Sequence, residues 1–470
     1  MKRNKVLLLS LVVLVVLGLG GGNLLSQEKV TLRILGIGGW HPSELAIKLA
    51  PEFNKYAEEN LGYSVEILGD FAPFTALYEK AASALAAHSD AYDIIISDSQ
   101  WLGAFSTGGH IVQLNDIIEA DPNFKAAVED MYPEHRVAYM TYPDGSDQYW
   151  GLPQEGDDLV LYIRKDLLED PTEQANFKEK HGFDLPQTYE DFMEMDWETF
   201  EKILEFFTRP EEGFYGLAAE YSKEYDYISD HVMSFIWTWG GDIIDWETFK
   251  VDGVMNAPEA VEALEYYVSL LRYQPPGAVT YGIDQCVNAI AQGQVFSTLT
   301  WAAVGAPIFD PNLSEVHDKV IVVMPPGKKD EDGNLRRIYC LGGQPWVISN
   351  YSKHKKEAID FLKWWYTEEA QWTFARGGGN PVVRSIIDTE EFKNLNPWNR
   401  AYVDMIPGGR DFWHLPCYSE LLLIQQEEWT AYASAYAAGA LEDTRSAAQE
   451  AMDNIARRQE QVLREWGFLD

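Results

Sequence analysis

The residues with most chemistry to offer sit in short clusters where an indole, an acid or amide, and glycines fall together. Gly38-Gly39-Trp40 follows the first alternating apolar run, and Asp98-Ser99-Gln100-Trp101 follows the third. Trp237-Thr238-Trp239-Gly240-Gly241-Asp242 closes a helical stretch. Indole faces take apolar C–H surfaces, while carboxylates and amides accept hydrogen bonds from hydroxyls. A ring with C–H faces and hydroxyl edges, as in a sugar, suits that pairing. The bias runs through the whole chain, which has 16 Trp and 25 Tyr. Trp237 and Trp239 are two apart on a helix and point different ways. One is expected at a site and the other in the core, with Trp239, nearer the helix end, the choice for the site.

Catalytic patterns are poor. No G-x-S-x-G and no H-E-x-x-H occurs. With 74 Asp and Glu residues, nearness of two carboxylates says nothing for glycoside hydrolysis. Gly36-Ile37-Gly38-Gly39 lacks the full dinucleotide-binding G-x-G-x-x-G. Tyr266-Tyr267 falls inside a helical stretch and reads as packing. Cys286, Cys340 and Cys417 are too few and scattered for a zinc site or disulfide framework, so buried free thiols are expected. No metal and no cofactor is expected.

The elements that must hold these residues alternate. Strands are read at 30–34, 63–68 and 92–96, with helices at 42–61 and 74–87 between them. That order is a parallel sheet covered by helices. Ligands bind such sheets outside the carboxyl ends of the strands. Trp40 and the turn 98–101 therefore belong to one cleft. Residues 167–320 read as mostly helical, with a strand at 295–301 ending in Trp301. Further strands are read at 320–324 and 345–349, and long helices at 421–438 and 441–466. Glycine pairs at Gly342-Gly343, before Gln344, and at Gly378-Gly379 permit close backbone approach.

Lys2, Arg3 and Lys5 precede an apolar run over 6–19, the pattern of an export signal ending near Ser26. Fourteen residues fall short of the roughly 20 of a membrane span. The expected location is the periplasm or cell exterior, with tethering if the segment is retained. The formal charge of −37 repels nucleic acid and anionic lipid, so neither is an expected partner.

The stretch 340–384, CLGGQPWVISNYSKHKKEAIDFLKWWYTEEAQWTFARGGGNPVVR, resembles the extracellular solute-binding proteins (family 1) of ABC importers, in the carbohydrate-binding branch. Residues 108–114 and 149–167 continue the resemblance, which covers nearly the whole chain after the signal. It departs from the pattern in having no lipid-anchoring cysteine, and in long acidic loops near 121–147 and 169–196. The resemblance implies an α/β fold, the two-lobed periplasmic-binding-protein fold of the type II kind. Each lobe is then a mainly parallel sheet flanked by helices, joined to the other by a multi-strand hinge. Residues 28–150 with 322–368 would form the first lobe, and 153–318 with 372–470 the second. Crossings would lie near 151–153, 319–321 and 369–371. Glu155, Asp157 and Asp158 would stand near the hinge and accept from hydroxyls. Trp239 would stack on ligand, Trp301 would face it, and Trp413 would add a late aromatic. Gly343, Gln344, Gly378 and Gly379 would border the cleft. The implied function is capture of a mono- or oligosaccharide by a monomer, without covalent chemistry, and delivery to a membrane permease. Alternatives are another polar solute, such as a glycerol phosphodiester held by Arg384 or Arg410, or an exported glycoside hydrolase.

Overall fold

The computed structural model of the chain describes residues 29–470; the expected export signal lies outside them. Two separate sheets organise these residues. The first has the strand order Ser64–Ala72, Lys29–Ile37, Ile94–Ile96, Pro345–Ile348, Leu152–Pro153, and the second Tyr215–Ala218, Val295–Trp301, Leu159–Arg164, Val320–Val323. Strands β1 (Lys29–Ile37), β2 (Ser64–Ala72) and β3 (Ile94–Ile96) pair in parallel. Their alternation with helices dictates this, because parallel neighbours need a long crossover. Strand β3 is three isoleucines, all buried, as a strand covered on both faces must be. The expected single helix over 42–61 is two, His41–Lys48 and Ala50–Asn60. Pro51 lacks the N–H that would continue the first, and its ring would clash with the carbonyl of Ile47.

After β4 (Leu152–Pro153), the chain leaves the first sheet and forms β5 (Leu159–Arg164) in the second. Strands β6 (Tyr215–Ala218) and β7 (Val295–Trp301) pair in parallel, but β5 runs against β7 and against β8 (Val320–Val323). A small ribbon of β9 (Lys328–Lys329) and β10 (Leu335–Arg336) follows, and then the chain returns as β11 (Pro345–Ile348), antiparallel to β3 and β4. Each sheet is thus mixed, and the reversed strand in each, β5 or β11, is the one by which the chain enters that sheet after leaving the other.

Two expected crossings move. Residues 319–321 adjoin or open β8, and residues 322–323 pair with β5, so they stand in the second sheet. The chain stays with that sheet's helices as far as Tyr339, whose hydroxyl accepts from Trp197 Nε1 at 2.9 Å. Residues 369–371 lie inside the helix Glu368–Arg376, whose Phe374 packs on Trp365 at 4.9 Å between ring centroids. The chain next reaches β5 at the helix Asn399–Met405. Continuous hydrogen-bonded elements occupy both expected positions.

The three cysteines are buried free thiols. Among the described residues no helix is long and apolar enough to cross a membrane. The first core is densely aromatic: Trp365 sits edge-on to Trp346 at 5.5 Å, and both rings are fully buried. Trp365→Ala removes a ring from a site without room to collapse and should cost about 3–5 kcal/mol. Denaturant unfolding checks this; a loss below about 1 kcal/mol would mean the neighbouring rings close the gap.

Candidate functional site

The carboxyl ends of β1 and β3 lie side by side. Beyond β1, Gly39 adopts φ +80° and turns the chain so that Trp40 stands at the sheet edge. Beyond β3 come Asp98 and Gln100. Strand β11 runs the other way, so the residue before it, Gln344, arrives at the same edge. Trp40 Nε1 donates to Gln344 Oε1 at 3.0 Å and to Glu155 Oε1 at 2.5 Å. Its ring meets Phe74 edge-on at 5.3 Å, so indole position is fixed from three sides.

The second sheet faces this edge with the ends of β6 and β7. Trp301 closes β7, paired with Leu159. Its ring lies on the backbone of Gly342, where a Cβ would come within 2.2 Å of it. Past β6 the chain reaches Tyr225 and Asp226, just before the helix Tyr227–Trp239, and Asp230 is one turn further on. Gln100 Nε2 donates to Asp226 Oδ2 at 2.6 Å, and the Tyr225 hydroxyl donates to Asp98. Phe74 and Tyr225 meet at 4.8 Å. These contacts join the two halves around a narrow cavity of about 30 Å³, completed by Leu341, Asp411 and Phe412. That is room for a water molecule or two, so the halves must part to admit anything larger.

The model of the bacterial extracellular solute-binding proteins matches residues 43–372. The chain belongs to that family. A probable ABC transporter-binding protein of Deinococcus radiodurans is 24% identical over 336 residues, 70% of this chain and 71% of that one. A mannitol-binding protein of Pseudomonas aeruginosa is 22% identical over 281 residues, 58% of this chain and 54% of the relative. Among solved structures, maltose-bound MalE3 of T. maritima superposes with a TM-score of 0.71 at 20% identity, covering 92% of this chain and 100% of that one. A solute-binding protein from Agrobacterium radiobacter in complex with ribitol gives 0.70 at 22% identity, covering 91% and 98%. The fold is therefore the two-lobed fold of periplasmic binding proteins.

In this solute-binding protein five of the expected residues line the cavity: Trp40, Asp98, Gln100, Trp301 and Gln344. Glu155 stands behind the wall on Trp40. Asp157 is buried below Trp301, where Oδ1 accepts from the N–H of Ala303 at 3.0 Å and of Asp158 at 2.9 Å. The others lie elsewhere. Trp101 is buried against Tyr78 at 5.2 Å. Trp239 stacks on Phe235 one turn back, donates to Glu262 and carries Lys328 over its face, so neither it nor Trp237 lines this cavity. Trp237 borders a neighbouring hollow with Arg410, which pairs with Asp242 at 3.1 Å. Trp413 is buried beside Phe412. At Gly343 a Cβ would come within 2.4 Å of the Glu155 carbonyl, so it serves chain packing. Gly378 faces His41, and Gly379 packs on Phe374.

Sequence reasoning missed Phe74, Tyr225, Asp226, Asp230, Asp411 and Phe412. A usable signal existed for Asp226 and Asp230. They sit four apart at the start of an otherwise apolar helix, where buried acids need a reason.

The cavity acids are perturbed. Burial lifts Asp98 to about 6, against hydrogen bonds from Ser99 and Gln100. Burial, and then the nearby Asp98, push Asp226 well above the carboxylate range; burial followed by Asp226 does the same to Asp230. Burial lifts Asp411 to about 7 and the neighbouring Glu220 to about 8. Burial works against charge on His414, but Asp144, 2.8 Å away, outweighs it and holds the ring's proton to about 9. All of these values are raised above those of the unfolded chain, so the folded state keeps protons that the unfolded state gives up. The stability they lend is complete at acid pH and is lost as pH rises through 6 to 9. The ligand-free protein should lose melting temperature between about pH 5 and 8, and Asp98→Asn should flatten the lower part of the fall. A melting temperature that climbs across this range would show these acids ionised in the fold.

Proposed function

We propose that the protein captures a sugar or sugar alcohol between its lobes and hands it to the permease of an ABC importer. The observation that carries this reading is the wall itself: Trp40 and Phe74 from one half face Tyr225 and Trp301 from the other, with carboxylates and amides between them. Flat rings take the C–H face of a sugar, and acceptors take its hydroxyls. The relatives named for mannitol and transport, and the neighbours holding maltose and ribitol, support the same reading. On it, the first lobe comprises residues 29–153 with 345–376, and the second 159–323 with 399–470. The lobes open and close by hinge rotation, and closing removes water from the bound solute. The protein acts as an exported monomer without covalent chemistry.

An anionic solute is poorly served. Arg384 pairs with Asp388 over the Tyr132 ring, and Arg410 pairs with Asp242; neither lines the cavity. A thermal-shift screen of mono- and oligosaccharides and polyols should find at least one that raises the melting temperature, as a ligand specific to the folded state must. Trp40→Ala and Trp301→Ala should each weaken its binding about tenfold or more. Trp239→Ala should leave affinity alone and cost about 3 kcal/mol of stability. A complete panel without any shift, or affinity that follows Trp239 and not Trp301, would overturn the reading.

A further inference from the structure

Every charged side chain on the cavity wall is an acid. Asp98, Asp226, Asp230 and Asp411 line it, and no lysine, arginine or histidine does. The wall's N–H and phenolic donors are engaged with the wall itself: Trp40 with Glu155 and Gln344, Gln100 with Asp226, Tyr225 with Asp98, and the Gln344 amide with the Gly342 carbonyl. Acceptors are left over. Gln100 is 1% exposed and lines the cavity, yet its Oε1 has no partner among the described residues. Asp411 Oδ2 has none either. Around these acceptors stand the rings of Trp40, Phe74, Tyr225, Trp301 and Phe412. Aromatic faces attract a cation, and more strongly where water is excluded. Acids and rings together form a site for positive charge, and the unpartnered Gln100 oxygen marks where a donor is wanted.

Building on the sugar-binding reading, we propose that the solute carries a protonated nitrogen: an amino sugar in preference to its neutral counterpart. Its ammonium sits among Asp98, Asp226 and Asp411, donates to Gln100 Oε1, and is faced by the surrounding rings. Without it the clustered acids hold protons, since burial and mutual repulsion disfavour their charge. The cation displaces these protons into solvent, so binding tightens as pH rises from about 5 to 7. The other titratable groups packed around the cluster are Tyr225, Tyr418, Glu220, His414 and Cys340, whose thiol lies 3.6 Å from Asp230. Burial keeps Tyr418 and Cys340 neutral throughout this range, and His414 keeps its proton to about 9.

Matched pairs test this in calorimetry on the whole exported chain: glucosamine against glucose, and glucosamine oligosaccharides against cello-oligosaccharides. Choline serves as a cation that is not a sugar. In the best-bound pair the amine should bind about tenfold tighter than its neutral match at pH 7. Its heat should differ between buffers of unlike ionisation enthalpy, reporting proton release, while the neutral sugar's should not. Asp226→Asn should weaken the amine more than the neutral sugar. Equal or better binding of the neutral member, or an amine that binds without proton release, overturns the inference and leaves the sugar reading standing. Choline bound with every sugar refused overturns the amino-sugar assignment, and refusal of all overturns both readings.

Discussion

The reversal of β5 and β11 is the constraint on which the rest depends. A strand that follows its neighbour through a helical crossover must run parallel to it, but one arriving from another sheet is free to enter from the opposite end. Both crossing strands do so. A reversed strand presents its beginning where its neighbours present their ends, and in a parallel sheet that edge is the one that binds ligands. Residues 154–158 and 341–344 are thereby brought to the cavity from both sides. They also meet each other: Gln154 N–H donates to the Gln344 carbonyl at 2.7 Å, and Gly342 N–H to the Asp157 carbonyl at 3.0 Å. Asp158 and Leu341 form an antiparallel bridge just beyond the second of these contacts. The connector between the sheets is itself a narrow antiparallel ribbon, which can bend while its own hydrogen bonds hold.

That ribbon explains the buried acids within it. Asp157 satisfies the backbone N–H groups that the end of β7 leaves open at Ala303, and Glu155 holds the Trp40 indole. Neither needs to touch a solute to matter. A shift of either crossing would move Trp301, packed on Gly342, together with Trp40, so the two facing indoles are coupled through the chain that separates them.

How much of this was legible in the sequence follows from which forces are local. Strand and helix positions came through because periodicity is local: β7 was read at its observed bounds, and the helix before Gly240 ends there in the left-handed turn that glycine permits. The edge rule puts Trp40 and Asp98 beside each other without side-chain information, and both line one cavity. Trp239 was misread because closeness to a helix end does not say which way a ring points. Its side chain lies back along the helix onto Phe235, as long side chains on helices do. The elements that occupy two of the expected crossings were hidden for a related reason. Nothing local distinguishes residues 369–371, inside a helix, from a hinge, and nothing shows 322–323 pairing with a strand some 160 positions earlier. Asp411 and Phe412 reach the cavity from a late loop that no period could place.

The closed arrangement carries an energetic consequence of its own. Gln100 to Asp226 and Tyr225 to Asp98 are hydrogen bonds between the two halves. Each contributes on the order of 1 kcal/mol net, so together they favour closure by a modest amount. Against them stands the crowding of Asp98, Asp226 and Asp230, which charging would turn into repulsion across the same gap. On the proposed hinge closure, protonation of these acids would bias the balance between open and closed forms. A solute shifts that balance only by what it adds to the closed form beyond these bonds. Donors offered to unpartnered acceptors supply such a difference, whereas apolar contact with one lobe alone does not.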